Sequence, residues 1–193
     1  MDKAFFLTSY FCYCIILQMI TVGILTISDR IAKKIKEDRS LLKMDESGVL
    51  IGQILSKELK IKIAAYEIVP DDKSLIKQKL CWLSEQLKLN LIFTTGGTGF
   101  APRDVTPEAT REILEKEAPL FAQAMLLANF KKSPTSILSR GTAGMRKSSL
   151  IINLPGSPQS VKECLEIILP VLPHAIDILL GKVTRHKINR VEM

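Results

Sequence analysis

Apolar residues along the chain follow two spacings, continuous short runs and helical intervals. A continuous apolar run over residues 20–27 predicts a strand that is buried on both faces of a sheet, and residues 61–69 and 89–95 are predicted as two further strands. Between them, apolar residues recur at three- and four-residue intervals and predict helices over 49–59 and 71–87. This alternation of strands and helices predicts an α/β domain with a mainly parallel sheet.

The second half of the chain carries clear helix-start residues. Thr106-Pro107-Glu108 combines an N-cap hydroxyl, a proline at the first helical position and an acid in the first turn. A further helix is predicted over residues 120–130. Ser157-Pro158 starts another, which Pro170 interrupts and which ends by Gly181.

A β-hairpin is predicted between these helices, with strands over 136–140 and 149–155. Hydroxyl and cationic side chains collect around it: Ser139, Arg140, Arg146, Lys147 and Ser148. Arginine suits a planar, forked anion and lysine acts as a point charge, so the cluster is a candidate anion site. A solvated hairpin tip is the alternative.

The first 18 residues are strongly apolar, and residues 4–17 resemble a signal-peptide core. The apolar stretch continues into the first strand without a small-residue cleavage site. We expect Met19 to be the natural start and 1–18 to be an apolar leader that is not native or is disordered. A weak membrane anchor and an ordered extension are the alternatives. Residues 19–182 would form the domain and 183–193 a basic tail.

Length, net charge and residue composition exclude some classes of function but do not select one. The length of 193 residues fits one domain, and a net charge of +7 favours anionic partners. Because basic residues are not interleaved with aromatic ones, we do not expect nucleic acid as a partner. We also expect no membrane partner, since no stretch of 18 apolar residues occurs after the first strand. The four cysteines show no metal-ligand spacing, and with only two histidines a zinc site or a Ser-His-Asp hydrolase is not expected.

Polar and glycine-bearing segments follow four of the predicted strands. They are Ser28-Asp29, Pro70-Asp71-Asp72, Thr94–Gly99 and Pro155-Gly156-Ser157. In an open parallel sheet the carboxyl ends of the strands line one crevice, and ligands bind there. The four segments therefore predict one binding site.

The segment from Thr94 to Gly99 gives the sharpest signal. Its glycines allow a tight turn that points successive N–H groups at one spot, and its threonines add donors. Such a loop is typical of phosphate binding, although it is neither a Walker A loop nor a G-x-G-x-x-G motif. Asp104 follows it closely in the sequence, and Asp71 lies at the end of the second predicted strand. Each carboxylate is either a helix cap or a ligand of a magnesium ion over the bound phosphates, and Asp104 could instead pair with Arg103.

The segment TTGGTGFAPRDVTPEAT (94–110) resembles the signature of the Mog and MoaB proteins of molybdenum-cofactor synthesis. Further resemblance to bacterial Mog proteins and to the Cnx1 and gephyrin G domains covers VGILTISD (22–29), IVPDD (68–72) and the residues from 137 to 180. The resemblance implies a three-layer αβα fold that assembles as a homotrimer. It also implies a cytoplasmic enzyme that uses ATP and Mg²⁺ to adenylylate molybdopterin, with pyrophosphate as the second product.

The resemblance also implies roles for individual residues. Asp71 and Asp104 would be the catalytic, magnesium-binding acids. The nucleotide side would comprise Ser28, Asp29, Thr95, Gly96, Gly97, Thr98 and Gly99. The molybdopterin side would comprise Ser139, Arg140, Ser148, Pro155, Gly156 and Ser157, and Arg140 or Lys147 would neutralise charge. A separate protein would insert molybdate. The alternatives are a protein that binds molybdopterin without catalysis and a trimeric scaffold.

Two segments depart from the family pattern. The family has an Asp-x-Ser-Gly segment before its first helix, which we align with Asp45–Gly48 rather than with 38–41. Residues 31–44 then form a longer first loop than expected. In addition, Arg146-Lys147-Ser148-Ser149 replaces a commoner Arg-Gly-Ser/Thr, which adds a charge to the predicted pterin side.

Overall fold

A computed structural model describes residues 20–59, 61 and 63–182 of the chain. One sheet contains six strands in the order β2-β1-β3-β6-β5-β4. The strands are β1 Val22–Ile27, β2 Ile63–Val69, β3 Leu91–Thr95, β4 Lys116–Glu117, β5 Ala143–Arg146 and β6 Ser149–Leu154. The first three and β6 run parallel, whereas β5 and β4 are antiparallel to their neighbours. The mainly parallel sheet with a hairpin is therefore confirmed.

Helices connect the strands on both faces of the sheet. They are α1 Asp29–Glu37, α2 Glu46–Glu58, α3 Lys73–Cys81, α4 Thr106–Arg111, α5 Pro119–Phe130, α6 Pro158–Ile168 and α7 Leu172–Leu179. Short 3-10 turns occupy Arg39–Met44 and Pro134–Leu138, and a π turn at Trp82–Gln86 extends α3.

Alternating residues of the central strands face two separate cores. Phe93 packs in the core formed with α2, α5, α6 and α7, which contains Ile51 and Leu165. Its neighbour Ile92 packs in the other core, with Leu80 of α3 and Ala109 of α4. Burial on both faces explains the continuous apolar run of β1, whereas β2 lies at the end of the strand order and is mostly half-buried. The three-layer αβα fold is confirmed.

The predicted strand at 136–140 is wrong. Residues 134–138 form a 3-10 turn that begins at a proline, and the first hairpin strand is instead β5, within the expected connection. That strand pairs with β4 as well as β6 and contains Gly144, which lies against Leu114 and the Lys116 carbonyl. Small residues in a crowded strand give no alternating apolar signal, so the pattern missed it.

The long loop predicted over 31–44 is also wrong, because α1 and a 3-10 turn occupy it. The Ser28 hydroxyl caps α1 by accepting from the N–H of Ile31 at 3.3 Å. Asp45 caps α2 in the same way, so that helix begins at Glu46 and not at residue 49. Thr106 caps nothing; its hydroxyl donates to the Gly96 carbonyl at 2.9 Å.

The apolar leader of residues 1–18 and the basic tail of 183–193 lie outside the described residues. Within residues 20–59, 61 and 63–182, no helix combines the length and apolar character needed to cross a membrane.

Candidate functional site

The carboxyl ends of β1, β2, β3 and β6 meet at one edge of the sheet, as the sequence predicts. The N–H of Ser28 donates to the Val69 carbonyl at 2.9 Å and joins the first two ends. The Thr95 hydroxyl donates to the Pro155 carbonyl at 2.7 Å and joins the other two. Most of the predicted site residues therefore share one crevice.

The glycine loop, residues 96–99, has a backbone that other residues would strain. Gly96 and Gly97 adopt φ angles of +94° and +63°, in the left-handed region that favours glycine. A Cβ on Gly96 would overlap the carbonyl of Ile27. The Thr106 hydroxyl holds the Gly96 carbonyl from the other side. The loop is thus fixed against both β1 and α4.

Two acids at the ends of β1 and β2 bind each other's main chain. The N–H of Asp71 donates to Asp29 Oδ1 at 3.1 Å, and the N–H of Asp29 donates to Asp71 Oδ2 at 3.0 Å. Arg103 bridges the pair, with its Nε 2.7 Å from Asp29 Oδ2 and a terminal nitrogen 3.4 Å from the Asp71 carbonyl. Neither acid caps α3, since Asp72 does so by accepting from the N–H of Leu75 at 2.8 Å.

The pKa values of Asp29 and Asp71 move in opposite directions, because only Asp71 is partly buried. The Arg103 hydrogen bond lowers the pKa of Asp29, with the Asp71 N–H contact as the next cause. Burial raises the pKa of Asp71, and the charges of Asp29 and Asp104 raise it further.

Asp104 lies at the far end of the glycine loop. Its Oδ2 accepts from the N–H of Ala101 at 3.0 Å, while its own N–H donates to the Ala101 carbonyl at 2.9 Å. A Cβ on Gly99 would lie 2.9 Å from Asp104 Oδ2, and one on Gly97 would lie 3.1 Å from Asp71 Oδ1. The two glycines therefore let the loop approach both carboxylates.

A cavity of about 620 Å³ opens on the α5 and α6 side of the glycine loop. Its polar lining includes Asp104, Asn129, Ser139, Arg140, Asn153, Ser157 and Glu163, and its apolar lining includes Met125, Leu126 and Leu138. Pro155 and Gly156 also border it. A mixed apolar and polar wall of this size suits a small organic ligand.

A smaller cavity of about 190 Å³ lies on the α1 and α2 side of the loop. Ser28, Thr95 and Gly96 border it, together with Asp45 and Ser47. Gly156 lines both cavities, so the two spaces meet at the glycine loop and the segment after β6.

The first turn of α2 contributes contacts that the sequence did not assign. The Ser47 hydroxyl donates to the Gly156 carbonyl at 2.8 Å, and buried Asp45 accepts from the Tyr66 hydroxyl. Burial, followed by the Asp45 contact, raises the pKa of Tyr66, which keeps its proton. Gly48 makes room for this cluster. The Asp-x-Ser-Gly segment was the only sign of this cluster in the sequence. The residues that Asp45 and Ser47 contact, Tyr66 and Gly156, are distant from it along the chain.

Ser148 is the predicted site residue that the structure does not bring to the crevice. It lies with Lys147 in the turn between β5 and β6, at the amino end of β6 and so at the opposite edge of the sheet. There Lys147 pairs with Glu115 at 2.6 Å, and Arg146 pairs with Glu85. The extra charge of Lys147 therefore lies away from the expected pterin side.

The acids of the crevice do not form a complete metal cage. Across the residues that the structure describes, no group of three or more His, Cys, Asp or Glu side chains could hold a metal ion. Two carboxylates with substrate phosphates and water are nevertheless a common arrangement for Mg²⁺.

Comparison with known proteins identifies the family of the chain. A family model described as "probable molybdopterin binding domain" (MoCF_biosynth) matches residues 23–174. The chain is 43% identical over 166 residues to a protein of Helicobacter pylori strain J99 named molybdopterin adenylyltransferase, covering 86% of this chain and 90% of that one. It is 42% identical over 163 residues to the molybdenum cofactor synthesis protein cinnamon of Drosophila melanogaster, covering 84% of this chain and 26% of that protein.

A solved structure shows the same fold. It is the crystal structure of the molybdopterin biosynthesis enzyme MoaB from Thermus thermophilus, which is 46% identical with a TM-score of 0.74. The match covers 86% of this chain and 100% of that structure.

Proposed function

Because the chain belongs to the MoCF_biosynth family, we propose that it is a molybdopterin adenylyltransferase, which joins AMP from ATP to molybdopterin and releases pyrophosphate. One observation carries the proposal: the glycine loop separates two cavities and has an acid at each end, Asp71 and Asp104. The larger cavity would take the pterin, and the loop would take the phosphates.

The reaction joins two anions. An oxygen of the molybdopterin phosphate attacks the α-phosphorus of ATP, and the bond from that phosphorus to the bridging oxygen of the β-phosphate breaks. The pyrophosphate leaves with the electron pair. Since the attacking phosphate is already ionised at neutral pH, no general base is required. The rate enhancement then comes from positioning the two substrates and neutralising their charges.

The acids of the crevice fit a magnesium ion. Asp71 uses Oδ2 for the N–H of Asp29, and Asp104 uses Oδ2 for the N–H of Ala101. Among the described residues no donor binds the Oδ1 atom of either acid, so each carboxylate offers one oxygen to a cation. Bound there with the triphosphate, Mg²⁺ would neutralise phosphate charge and withdraw electrons from the phosphorus.

The assay is the incubation of the purified chain with molybdopterin, ATP and Mg²⁺, with pyrophosphate release and the mass of the pterin product as readouts. We expect turnover by the wild type and its loss in Asp71→Ala and Asp104→Ala variants that keep their fold. Molybdopterin binding with no adenylylated product would refute the enzyme and leave the binding or scaffold protein. Wild-type turnover by Asp104→Ala would keep the function and refute that magnesium ligand.

We further propose that the chain acts as a homotrimer in the cytoplasm and passes its product to a separate molybdate-insertion protein, with no nucleic acid as partner. The support for self-association is a group of exposed apolar side chains on α5 and the 3-10 turn after it: Leu120, Leu127, Phe130, Ile137 and Leu138. Light scattering should give three times the chain mass, and Leu127→Glu should lower it. A monomeric wild type would refute the trimer.

A further inference from the structure

The side chain of Arg140 is bound by protein atoms at each of its three nitrogens. Nε donates to the Gly99 carbonyl at 2.7 Å, and one terminal nitrogen donates to the Asp104 carbonyl at 2.6 Å. The other terminal nitrogen pairs with Glu108. The main-chain N–H donates to the Thr98 carbonyl at 2.9 Å. One residue thus holds three carbonyls of the glycine loop and the turn that follows.

This bonding differs from that of an arginine that binds a ligand phosphate. The donors point at protein carbonyls, and Glu108 balances the charge. We propose that Arg140 is a positioning residue for adenylyl transfer, which holds the glycine loop and Asp104 in the form that binds Mg-ATP. The proposal rests on the proposed function and replaces the contact with molybdopterin phosphate that the resemblance implies.

The physical reason lies in the loop itself. Glycines leave a backbone free to adopt many conformations, so an unbraced loop would lose that freedom when a nucleotide binds. A carbonyl oxygen that turned toward the crevice would also repel the phosphate oxygens. Arg140 binds the carbonyls of Thr98, Gly99 and Asp104. It therefore keeps these oxygens from turning toward the phosphates, and it orders the loop before the nucleotide binds.

Lysine cannot replace this arrangement. A guanidinium presents five donors in a planar fork, whereas an ammonium is a single point charge. Lysine at position 140 could pair with Glu108 but could not also reach both carbonyls. Arg140→Lys therefore keeps the positive charge but removes the hydrogen bonds to the Gly99 and Asp104 carbonyls. The variant thus distinguishes a positioning role of Arg140 from a role in neutralising charge.

The chain offers a matched control at the opposite edge of the sheet. Arg146 donates to the Ile113 carbonyl at 2.6 Å and pairs with Glu85, and its side chain is 20% exposed against 30% for Arg140. Arg146→Lys removes a similar fork far from the crevice. An effect that comes only from general loss of stability should appear in both variants.

The test uses calorimetric titration of the full chain with Mg-ATP and, separately, with molybdopterin, beside thermal unfolding. Arg140→Lys should weaken Mg-ATP binding by about tenfold, while molybdopterin binding changes by less than about twofold. Arg146→Lys should lower the unfolding midpoint and change neither affinity. Because binding is measured without turnover, the result is independent of the adenylylation assay.

Three results would overturn the proposal. They are a tenfold loss of molybdopterin affinity with Mg-ATP unchanged, no change in either affinity, and equal loss of Mg-ATP affinity in both arginine variants. Should Arg140→Lys not fold, Glu108→Gln keeps the size and an acceptor and removes the charge pair. That variant should weaken Mg-ATP by about threefold, and unchanged Mg-ATP affinity would also refute the positioning role.

Discussion

Asp29 and Asp71 bind each other's main-chain N–H groups, at 3.0 and 3.1 Å, so that the ends of β1 and β2 are joined through two carboxylates. Arg103 forms a salt bridge with the Asp29 carboxylate, whereas no cation among the described residues lies within salt-bridge distance of the Asp71 carboxylate. Asp71 is left with a raised pKa because of burial and nearby negative charge. In the proposed function Asp71 must be charged to bind Mg²⁺, so its raised pKa means that it would serve binding at some cost in stability.

The first prediction follows for Asp71→Asn. A raised carboxyl pKa means that the folded state holds the proton more tightly than the unfolded state. Stability then falls as pH rises from the unfolded to the folded pKa, and the loss is complete above the folded pKa. The variant should therefore unfold at an equal or higher temperature at pH 7 and lose activity by about 100-fold or more.

Asp72→Asn is the matched control, because Asp72 caps α3 and asparagine caps helices equally well. It should keep both activity and stability. A fall in the midpoint of Asp71→Asn by more than about 4 °C would show that the Asp71 charge supports the fold.

The second prediction concerns pH. The activity of the wild type should fall on acidification with a midpoint above the ordinary aspartate value of about 4, because Asp71 must lose its proton to act. The charge of Arg103 lowers the pKa of Asp71, so Arg103→Gln should move this midpoint to higher pH. Profiles of kcat/KM measured at low Mg²⁺ test both statements. An unmoved midpoint in Arg103→Gln would remove Asp71 as the titrating group.

The third prediction compares two glycines of α2. A Cβ on Gly48 would overlap the Tyr66 hydroxyl and the Asp45 carboxylate and lie 2.6 Å from the Thr26 hydroxyl. Gly48→Ala should therefore lower the free energy of unfolding by about 1–3 kcal/mol. Gly52 has nothing nearer than 3.7 Å, so Gly52→Ala should raise it by up to about 1 kcal/mol. Urea unfolding measures both, and equal effects would contradict the crowding at Gly48.

Sequence patterns predicted the parallel sheet and the crevice because both depend on local signals. Buried strands give continuous apolar runs, and the polar segments after them mark one edge of the sheet. The apolar pattern did not predict β5, because the crowded position of Gly144 within this strand leaves no room for a larger side chain. Ser148 was assigned to the crevice from the family resemblance, although it precedes β6, whose carboxyl end is the one that reaches the crevice.

Sequence patterns could not predict contacts between segments that are far apart along the chain. The Ser47 hydroxyl reaches a carbonyl 109 residues away, and the Arg140 fork reaches a loop 41 residues earlier. Residue type suggested an anion site at Arg140, because arginine suits phosphate. The carbonyls that instead take up its donors become neighbours only when the sheet has formed.

The fourth prediction tests the Ser47 contact. Its hydroxyl donates to Gly156, which borders both cavities. Ser47→Ala should free the segment after β6 and raise the KM for molybdopterin about threefold to tenfold, as expected for the loss of one hydrogen bond. Ser56→Ala is the control, because that hydroxyl donates to the Ile61 carbonyl at 3.4 Å at the other end of α2. If the KM rises equally in both variants, the effect comes from a less stable α2 and not from the loss of the Ser47–Gly156 hydrogen bond.

The fifth prediction concerns a cysteine in the wall of the larger cavity. Burial raises the pKa of Cys164 to about 12, and its sulfur accepts from the side-chain amide of Asn129 at 3.3 Å. Only a thiolate reacts readily with iodoacetamide, and at pH 8 about one such thiol in 10⁴ is ionised. Alkylation of Cys164 in the folded chain should therefore be at least about 100-fold slower than in urea, as measured by peptide mass mapping. Rapid modification of the folded protein would mean that the cavity wall opens at this point, and ligands could then enter between α5 and α6.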